Sequence, residues 1–416
     1  MKYFYLNLIL LIMTFQACAT PNDTLKIGVV SDIHYLAKDL MDSGEAVKAY
    51  AASTGREITQ APLLLDHVLN EMERQQVDVL LIPGDLTKDG EKKSHLELVN
   101  KFKLLKEKGI RIYVIPGNHD INMPYAKGYK ENTSYETENI NPLEFEQIYN
   151  DFGYSEAIYR DENSLSYVVE LSNNSWLVCI DVSRYKEYTN HSISGGKISK
   201  ETEKWLQKIF NSAKEQNKML IGMMHHSLVE HLPYHAMMFP QYIVENWNYY
   251  AGWFADNNMQ VVFTGHFHAN DITKYTSPNK HSIYDVETGA MISYAFPYRI
   301  IDMDKSAMDI KSYNLFSLLS PDVIEQNKKN LKRIAYHQAL SKIKSFGLEI
   351  DPAVADKIAD IAGDILLLHV AGDEVMTDNL KNQLKQLGSL LDQDAENIDF
   401  QLDFYPPDNN VRIEFE

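Results

Sequence analysis

The chain has 416 residues, 44% of them hydrophobic, and a formal net charge of -18 at pH 7. This length is enough for one large domain and a smaller one. The negative charge argues against long nucleic acid as a partner, because such a surface repels polyanions, although a small anion can still bind where metal ions reverse the potential locally.

Residues 1–20 are predicted to be a targeting segment. Lys2 precedes an apolar stretch over 3–15, which is too short to span a bilayer comfortably and is typical of a secretory signal peptide. Either the chain is cleaved after Ala19, or Cys18 is lipidated as in bacterial lipoproteins, and we favour the lipoprotein. We therefore expect an exported protein, in the periplasm or as a lipoprotein of the outer membrane or cell surface of a bacterium.

Strand-like and helix-like runs alternate from residue 25 to about 316, which predicts a layered α/β domain over residues 21–318. Short apolar runs typical of buried strands cover 27–30, 79–82, 112–115, 219–221 and 261–263. Amphipathic helices are predicted over 63–75, 96–106 and 201–213. The polar segment 125–138 is predicted to be a long loop beside the functional site. Cys179, in a further strand-like run, is expected to be buried, so the mature chain should form no disulfide of its own.

The character of the sequence changes after residue 321. Amphipathic helices are predicted over 322–346, 352–368 and 378–391, and strand-like alternation covers 400–404 and 411–415. None of these segments has the spacing of metal ligands. We predict a small, mainly helical accessory domain over residues 319–416, serving as a lid or a docking surface.

Five short polar fragments each follow one of the strand-like runs. They read Asp32-Ile33-His34, Gly84-Asp85, Gly117-Asn118-His119-Asp120, His225-His226 and Gly265-His266-Phe267-His268. Each fragment by itself is a weak signal, but five in this order after five strands are not expected by chance. Because polar sites lie where strands end in layered α/β folds, these fragments are predicted to meet at one rim.

The residue types in the fragments point to metal ligands. Asp32 and His34 are separated by one residue, so an extended backbone directs both side chains to the same side, where they can hold one divalent ion. Asp85 can bridge two ions. The other candidate ligands are Asn118, His225 or its neighbour His226, His266 and His268. Such a mixed set suits Mn²⁺, Fe²⁺ or Zn²⁺ better than Ca²⁺.

Two such ions can activate a water and clamp a phosphoryl group. The leaving alkoxide then needs a proton donor, and His119 is the natural candidate. Asp120 is predicted to orient His119 by accepting its ring N–H. Gly117 is predicted to provide a backbone conformation that other residues resist.

This series of motifs resembles the calcineurin-like metallophosphoesterase superfamily over about residues 25–275. The resemblance implies a four-layer α-β-β-α sandwich. It also implies one metal held by Asp32, His34, Asp85 and His268, and a second held by Asp85, Asn118, His225 and His266, with Asp85 bridging. For the fourth fragment we choose His225 over His226.

The fragment Gly84-Asp85-Leu86-Thr87-Lys88-Asp89-Gly90 narrows the resemblance. Purple acid phosphatases carry a tyrosine where this chain has Lys88, so a tyrosinate-bound ferric ion is not expected. The fragment looks like that of class III cyclic nucleotide phosphodiesterases. The resemblance therefore implies a phosphodiesterase acting on small diesters such as 3′,5′-cyclic nucleotides, by attack of a hydroxide generated on two divalent ions.

Three alternatives remain open at this point. The first is a phosphomonoesterase or nucleotidase. The second is a sphingomyelinase-like lipid phosphodiesterase, which should present an exposed apolar rim; the only segment suited to this is 237–240, which we interpret as core. The third is a non-enzymatic envelope lipoprotein that binds metals or phosphoesters, although His119 and Asp120 argue against it. Tyr35 is predicted to pack in the core, while His231 and His235 are predicted to contact substrate phosphate or to lie on the surface.

Overall fold

The computed structural model describes residues 24–390 and 402–415. The predicted targeting segment and Cys18 lie outside the described residues. Within the described ranges, no helix is long and apolar enough to cross a membrane.

Two large sheets form the centre of the molecule. In chain order the strands are β1 (Leu25–Val29), β2 (Val79–Ile82), β3 (Arg111–Val114), β4 (Lys127–Lys130), β5 (Thr133–Glu136), β6 (Tyr159–Arg160), β7 (Tyr167–Ser172), β8 (Ser175–Ile180), β9 (Met219–Met224), β10 (Met259–Thr264), β11 (Ile272–Thr276), β12 (Ser282–Glu287), β13 (Pro297–Met303), β14 (Ala307–Asn314) and β15 (Asn410–Glu414). The first sheet has the order β15-β14-β13-β1-β2-β3, and the second β11-β12-β10-β9-β8-β7-β6. The run β1-β2-β3 is parallel, as is the run β8-β9-β10-β12.

Helices pack on the outer faces of both sheets and form the C-terminal region. In chain order they are α1 (Glu45–Thr54), α2 (Ala61–Arg74), α3 (Lys92–Lys106), α4 (Pro142–Ile148), α5 (Lys200–Glu215), α6 (His235–Met238), α7 (Trp247–Asp256), α8 (Pro321–Ser345), α9 (Pro352–His369) and α10 (Asp378–Leu390). The apolar stripes of α2 and α3 pack on the first sheet, and those of α5 and α7 pack on the second. The inner faces of the two sheets share one core, which includes Ile27 from the first and Leu177 from the second. The predicted four-layer α-β-β-α architecture is confirmed.

The predicted helices of the central domain are present and extend a little beyond their apolar stripes. Helix α5, for example, begins where Ser199 caps it by accepting a hydrogen bond from the Thr202 N–H (3.0 Å). Cys179 is a buried free cysteine on β8, as predicted. The predicted long loop over 125–138 is wrong, because β4 and β5 pair there as a hairpin. Gly128 lies beneath the ring of Tyr135 on the paired strand, so a side chain at that position would require this exposed ring to move.

The C-terminal region consists of the helices α8, α9 and α10, as predicted. Helix α9 packs along α8 and α10 packs on α9. The chain then returns to the central domain, where β15 pairs with the edge strand β14. The strand predicted over 411–415 is thus confirmed. Of the strand predicted over 400–404, residues 402–404 form no strand, and the rest lies outside the described residues.

Candidate metal centre

The loops that follow β1, β2, β3, β9 and β10 meet at one rim of the packed sheets. The His34 N–H donates to the Asp85 carbonyl (2.9 Å), and the Gly265 N–H donates to the His225 carbonyl (3.0 Å). The His119 N–H donates to Oδ1 of Asp85 (2.8 Å). The structure therefore brings together the five polar fragments at the rim where they were predicted to meet.

Asp32 and His34 reach the same side of the rim, but the predicted extended backbone is wrong. Their φ angles are 50° and 41°, in the left-handed region, and those of His266 and His268 are 71° and 65°. Both pairs lie beyond the last residue of their strands, so loop geometry rather than strand pleating sets the directions of the side chains.

A first group of donor atoms surrounds Nε2 of His34. This atom lies 3.5 Å from Oδ2 of Asp85, 3.8 Å from Oδ1 of Asp32 and 3.4 Å from Nε2 of His268. Nε2 of His268 is in turn 3.2 Å from Oδ1 of Asp32. Four side chains thus face one small volume.

A second group surrounds Nε2 of His225. This atom lies 3.3 Å from Oδ1 of Asp85 and 3.2 Å from Oδ1 of Asn118. The ring of His266 is 4.8 Å from that of His225, and each of Asp85, His225 and His266 offers a donor atom within 4.8 Å of the others. Asp85 belongs to both groups, so it is placed to bridge them.

The two groups have the properties of a pair of cation sites. Oδ1 of Asp32, Oδ2 of Asp85 and Nδ1 of His34 are buried and have no hydrogen-bond partner. A buried carboxylate oxygen without a partner is costly, so these two oxygens, one on Asp32 and one on the shared Asp85, indicate that cations complete the centre. Carboxylate, imidazole and amide donors together suit Mn²⁺, Fe²⁺ or Zn²⁺. The residues present therefore fit two divalent ions.

The neighbouring charges agree with this assignment. Burial opposes ionisation of Asp85, but the nearby rings of His225 and His119 more than offset it and hold the pKa of Asp85 well below its usual range. Burial also opposes protonation of His225, yet the adjacent carboxylate of Asp85 raises the pKa of His225 to about 9. Asp85 is thus held in the ionised form that binds cations, whereas His225 must lose its ring proton before it can ligate one.

His119 lies at the mouth of the centre, and its side chain is 18% exposed. Its ring is 5.1 Å from that of His34. Nδ1 lies 2.7 Å from Oδ1 of Asp89, to which it donates a hydrogen bond, and Nε2 lies 3.4 Å from Nη2 of Arg56. One nitrogen is thus held by a carboxylate, and the other lies beside a guanidinium.

The family model of the calcineurin-like phosphoesterases matches residues 25–270 of the chain, which is more than half of its length. The chain belongs to the calcineurin-like phosphoesterase family. No curated protein matches the chain closely. The phosphoesterase is accordingly a metal-dependent enzyme, and the two donor groups that share Asp85 are suited to that chemistry.

The chain is also similar to solved structures of other proteins. A dimetal phosphatase from Danio rerio superposes with a TM-score of 0.51 at 12% identity, covering 70% of this chain and 96% of its own. A putative 5′-nucleotidase from Staphylococcus aureus gives a TM-score of 0.41 at 12% identity, with 74% and 58% covered. Purple acid phosphatase from yellow lupin seeds gives 0.41 at 10% identity, with 70% and 51% covered. The first of these likenesses supports the shared fold.

The predicted role of Asp120 in the phosphoesterase is wrong, because Asp89 rather than Asp120 accepts the ring N–H of His119. The Asp120 carboxylate instead accepts hydrogen bonds from the backbone N–H groups of Gly117 (2.8 Å), Leu86 (3.1 Å) and Thr87 (2.8 Å). Burial, and then the charge of Asp85, raise the pKa of Asp120 to about 7. Asp120 therefore joins the two loops that carry Asp85 and Asn118.

The geometry bears on two further predictions about these fragments. The structure places His225 beside Asp85, whereas Nε2 of His226 donates to the carbonyl of Ser194 (2.6 Å). Gly117 does not adopt a left-handed backbone; the predicted reason for a glycine there is wrong. A side chain at this position would collide with the Asp85 carboxylate, so the site needs Gly117 for close approach.

Sequence reasoning missed Asp89 and Arg56. Asp89 lies within the Gly84–Gly90 fragment, so the motif itself offered this carboxylate as a candidate partner for His119. Arg56 follows α1 and lies outside every motif, so no sequence pattern singles it out. Lys88 is buried, its ammonium pairs with Asp89 and with Glu91 (3.2 Å), and it therefore supports Asp89 rather than the metal ligands.

The remaining predicted residues lie away from the metal ligands or in the core. Tyr35 is buried and its hydroxyl donates to Glu97 (2.5 Å), which confirms the packing role. His231 and His235 are buried, so neither lies on the surface as one alternative held. His231 pairs with Asp271 (2.5 Å), and the contact of either histidine with substrate phosphate stays a prediction.

Proposed function

We propose that the protein is a phosphodiesterase for small diesters such as 3′,5′-cyclic nucleotides, with His119 as the general acid. The observation that carries this proposal is the position of the His119–Asp89 pair directly beside two cation sites that share Asp85. When bound, the two ions supply Lewis acidity and an activated water. Asp32, His34, Asp85, Asn118, His225, His266 and His268 would hold them.

The side chains at the mouth provide what a leaving alkoxide needs. With Nδ1–H donating to Asp89, the Nε2 of a protonated His119 is free to transfer its proton to the departing oxygen. Arg56 lies 3.4 Å from the same nitrogen, so an anionic phosphoryl oxygen placed there would accept hydrogen bonds from both. Asp89 orients the imidazole by accepting the hydrogen bond from Nδ1.

Two observations support a diester rather than a monoester. The Gly84–Gly90 fragment looks like that of class III cyclic nucleotide phosphodiesterases. Arg56 contributes one fixed positive charge beside His119, which complements the single negative charge of a diester. The first alternative to test against the phosphodiesterase proposal is a phosphomonoesterase or nucleotidase.

The first test is metal dependence. The chain lacking residues 1–20 should hydrolyse bis-p-nitrophenyl phosphate when Mn²⁺ is added, lose this activity after dialysis against a chelator, and regain it on adding Mn²⁺ back. The physical reason is that the buried donor atoms without partners need cations to complete them. Turnover that survives chelation, or no turnover with any divalent ion, would contradict the mechanism.

The second test is a substrate panel under one set of conditions, with cyclic AMP, a glycerophosphodiester, a 5′-nucleotide and sphingomyelin vesicles. The proposal predicts the highest kcat/KM on cyclic AMP or another small water-soluble diester. A preference for the 5′-nucleotide would replace the proposal with a nucleotidase.

One observation favours a lipid diester as the second candidate. The segment 237–240, which we interpreted from sequence as core, is partly exposed: Met237 is 58% exposed, and Tyr234 just before it is 68% exposed. This segment adjoins the centre, since the ring of Phe239 packs 5.8 Å from that of Phe267, which lies between His266 and His268. If the substrate is a lipid, Met237→Gln should slow hydrolysis in vesicles while leaving bis-p-nitrophenyl phosphate turnover unchanged.

A further inference from the structure

A second cluster of buried ionisable groups lies where the central domain meets the C-terminal helices. It combines Asp271, which precedes β11, with His369 at the end of α9 and Glu374 shortly after it. Nδ1 of His369 is 2.6 Å from Oε1 of Glu374 and 3.5 Å from Oδ2 of Asp271. Each of the three side chains offers a donor atom within 4.8 Å of the others.

The donor atoms of this cluster are buried and incompletely paired. The side chains of Asp271 and Glu374 are each 1% exposed, and that of His369 is 4% exposed. Oδ2 of Asp271 and Oε2 of Glu374 have no hydrogen-bond partner. Since a buried carboxylate oxygen without a partner is costly, these atoms indicate a cation that belongs among them. The same signature marks the two sites at the rim.

The surroundings strengthen this indication. Oδ1 of Asp271 is held by Nδ1 of His231 (2.5 Å) and by the hydroxyl of Thr273 (3.0 Å), which fixes the carboxylate with Oδ2 turned toward His369. Such outer hydrogen bonds orient metal-binding carboxylates. His231 also faces Asp285 (3.2 Å) and Glu287 (3.6 Å), so its positive charge is shared and does not neutralise Asp271 alone.

Excess negative charge extends to the neighbouring loop. Burial, and then the charge of Asp271, raise the pKa of Asp408 to about 9. Burial, and then the charge of Glu374, raise the pKa of Asp403 to about 7. Both shifts have the direction expected where carboxylates outnumber the cations beside them.

We propose that Asp271, His369 and Glu374 hold a third divalent cation, distinct from the two ions of the phosphoesterase centre. One imidazole and two carboxylates suit an ion of the zinc and manganese class, and the imidazole makes calcium a poor fit. Binding releases the Nδ1 proton that His369 shares with Glu374, because a ligating imidazole nitrogen must be unprotonated.

The position of this site gives it a role. His369 and Glu374 belong to the C-terminal region, whereas Asp271 follows the loop that carries His266 and His268. The ring of His369 also packs 5.3 Å from that of Phe267, inside that loop. An ion here therefore fastens the C-terminal helices to the part of the central domain that presents two metal ligands.

Metal content tests this proposal. The full chain, loaded with Zn²⁺ and desalted, should retain three ions, and His369→Gln/Glu374→Gln should retain two. Glu349→Gln, at an exposed glutamate in the same region, is the matched control and should retain three. Equal zinc content in the wild type and the double variant would overturn the proposal.

Two further measurements separate loss of the third ion from a folding defect and from loss of the two ions at the rim. Asp32→Asn/Asp85→Asn/His225→Gln should retain one Zn²⁺, and His369→Gln added to it should remove that ion. An anomalous difference map at the zinc edge, from wild-type crystals, should show a peak between Asp271 and Glu374. Two peaks at the rim alone would refute the third site. Neither readout uses turnover, so an inactive diesterase would count only against the proposed function.

Discussion

At the scale of single residues, His119 is the side chain that should separate catalysis from metal binding. His119→Ala removes the proton donor but none of the proposed ligands. The rate on a diester with an alkyl leaving group should fall by about 10²–10⁴-fold, with metal content unchanged. The loss should be much smaller with p-nitrophenolate, which leaves without protonation.

Kinetics on the two leaving groups, with metal analysis of the same samples, check this expectation. His281 pairs with Asp256 (3.0 Å) at an exposed position, so His281→Ala is a matched control and should change neither rate. Asp89→Asn should give the same leaving-group pattern with a smaller loss, because it misorients the donor without removing it. Equal losses on both substrates would take the acid role from His119.

Arg56 should determine how well the substrate phosphate is bound. Arg56→Gln removes a cation that lies 3.4 Å from the acid nitrogen. A hydrogen bond to a charged group is worth about 1.5–3 kcal/mol, so kcat/KM for a diester should fall about tenfold to a hundredfold, with retained metal. Steady-state kinetics measure this, and Arg74→Gln, at an exposed arginine on α2, should have no effect. An unchanged kcat/KM in Arg56→Gln would exclude substrate contact.

The proposed metal ligands could be predicted from the sequence because each follows a buried strand, and the ends of neighbouring strands must lie together. Asp32, Asp85 and His266 are examples. The partner of His119 could not be predicted in the same way. Asp120 is adjacent in sequence, but its carboxylate is directed into backbone N–H groups, and Asp89 reaches the imidazole from another loop. Which carboxylate contacts a ring depends on loop conformation, which spacing does not determine.

At the scale of elements, the loops after β2 and β3 should act as one unit because Asp120 joins them. Asp120→Asn removes an acceptor from a carboxylate that holds the N–H groups of Gly117, Leu86 and Thr87. We expect a loss of about 1–3 kcal/mol in the free energy of unfolding, together with weaker metal binding, because Asp85 and Asn118 lie on these loops.

Chemical denaturation and metal titration measure the two effects. Asp161 provides the matched control, since it is also buried and accepts hydrogen bonds from Asn163 N–H and the Thr202 hydroxyl. Asp161→Asn should lower stability without weakening metal binding. If Asp120→Asn bound metal as tightly as the wild type, the loops would not depend on this carboxylate.

Helices and buried strands were predictable at this scale because their apolar periodicity is set by burial. The hairpin of β4 and β5 was not, since its strands are polar and β5 is fully exposed, so no apolar alternation marks it. In the hairpin Gly128 lies beneath the ring of Tyr135, a contact that no pattern in the sequence predicts.

At the scale of the whole molecule, the C-terminal region has a feature that sequence patterns do not predict. Its helices were predicted from amphipathicity, but their attachment was not. Asp271 and His369 are far apart in sequence and carry no motif spacing, so the junction they form appears only in the folded chain. The proposed ion would join the C-terminal helices to the domain that carries the metal centre. The sequence predicts only a separate accessory domain that begins at residue 319.

At the same scale, we expect the location of the enzyme in the cell to depend on Cys18. The chain has two cysteines, and Cys179 is buried on β8, so Cys18 is the one placed for lipidation behind the apolar segment. In a bacterial host, the wild type should fractionate with membranes and incorporate labelled palmitate, as should Cys179→Ser. Cys18→Ser should do neither, because two hydrophobic acyl chains give stable anchoring that the remaining chain does not replace. A wild type that is recovered unlabelled in the soluble periplasmic fraction would instead indicate cleavage after Ala19, and the enzyme would then meet its substrate in solution.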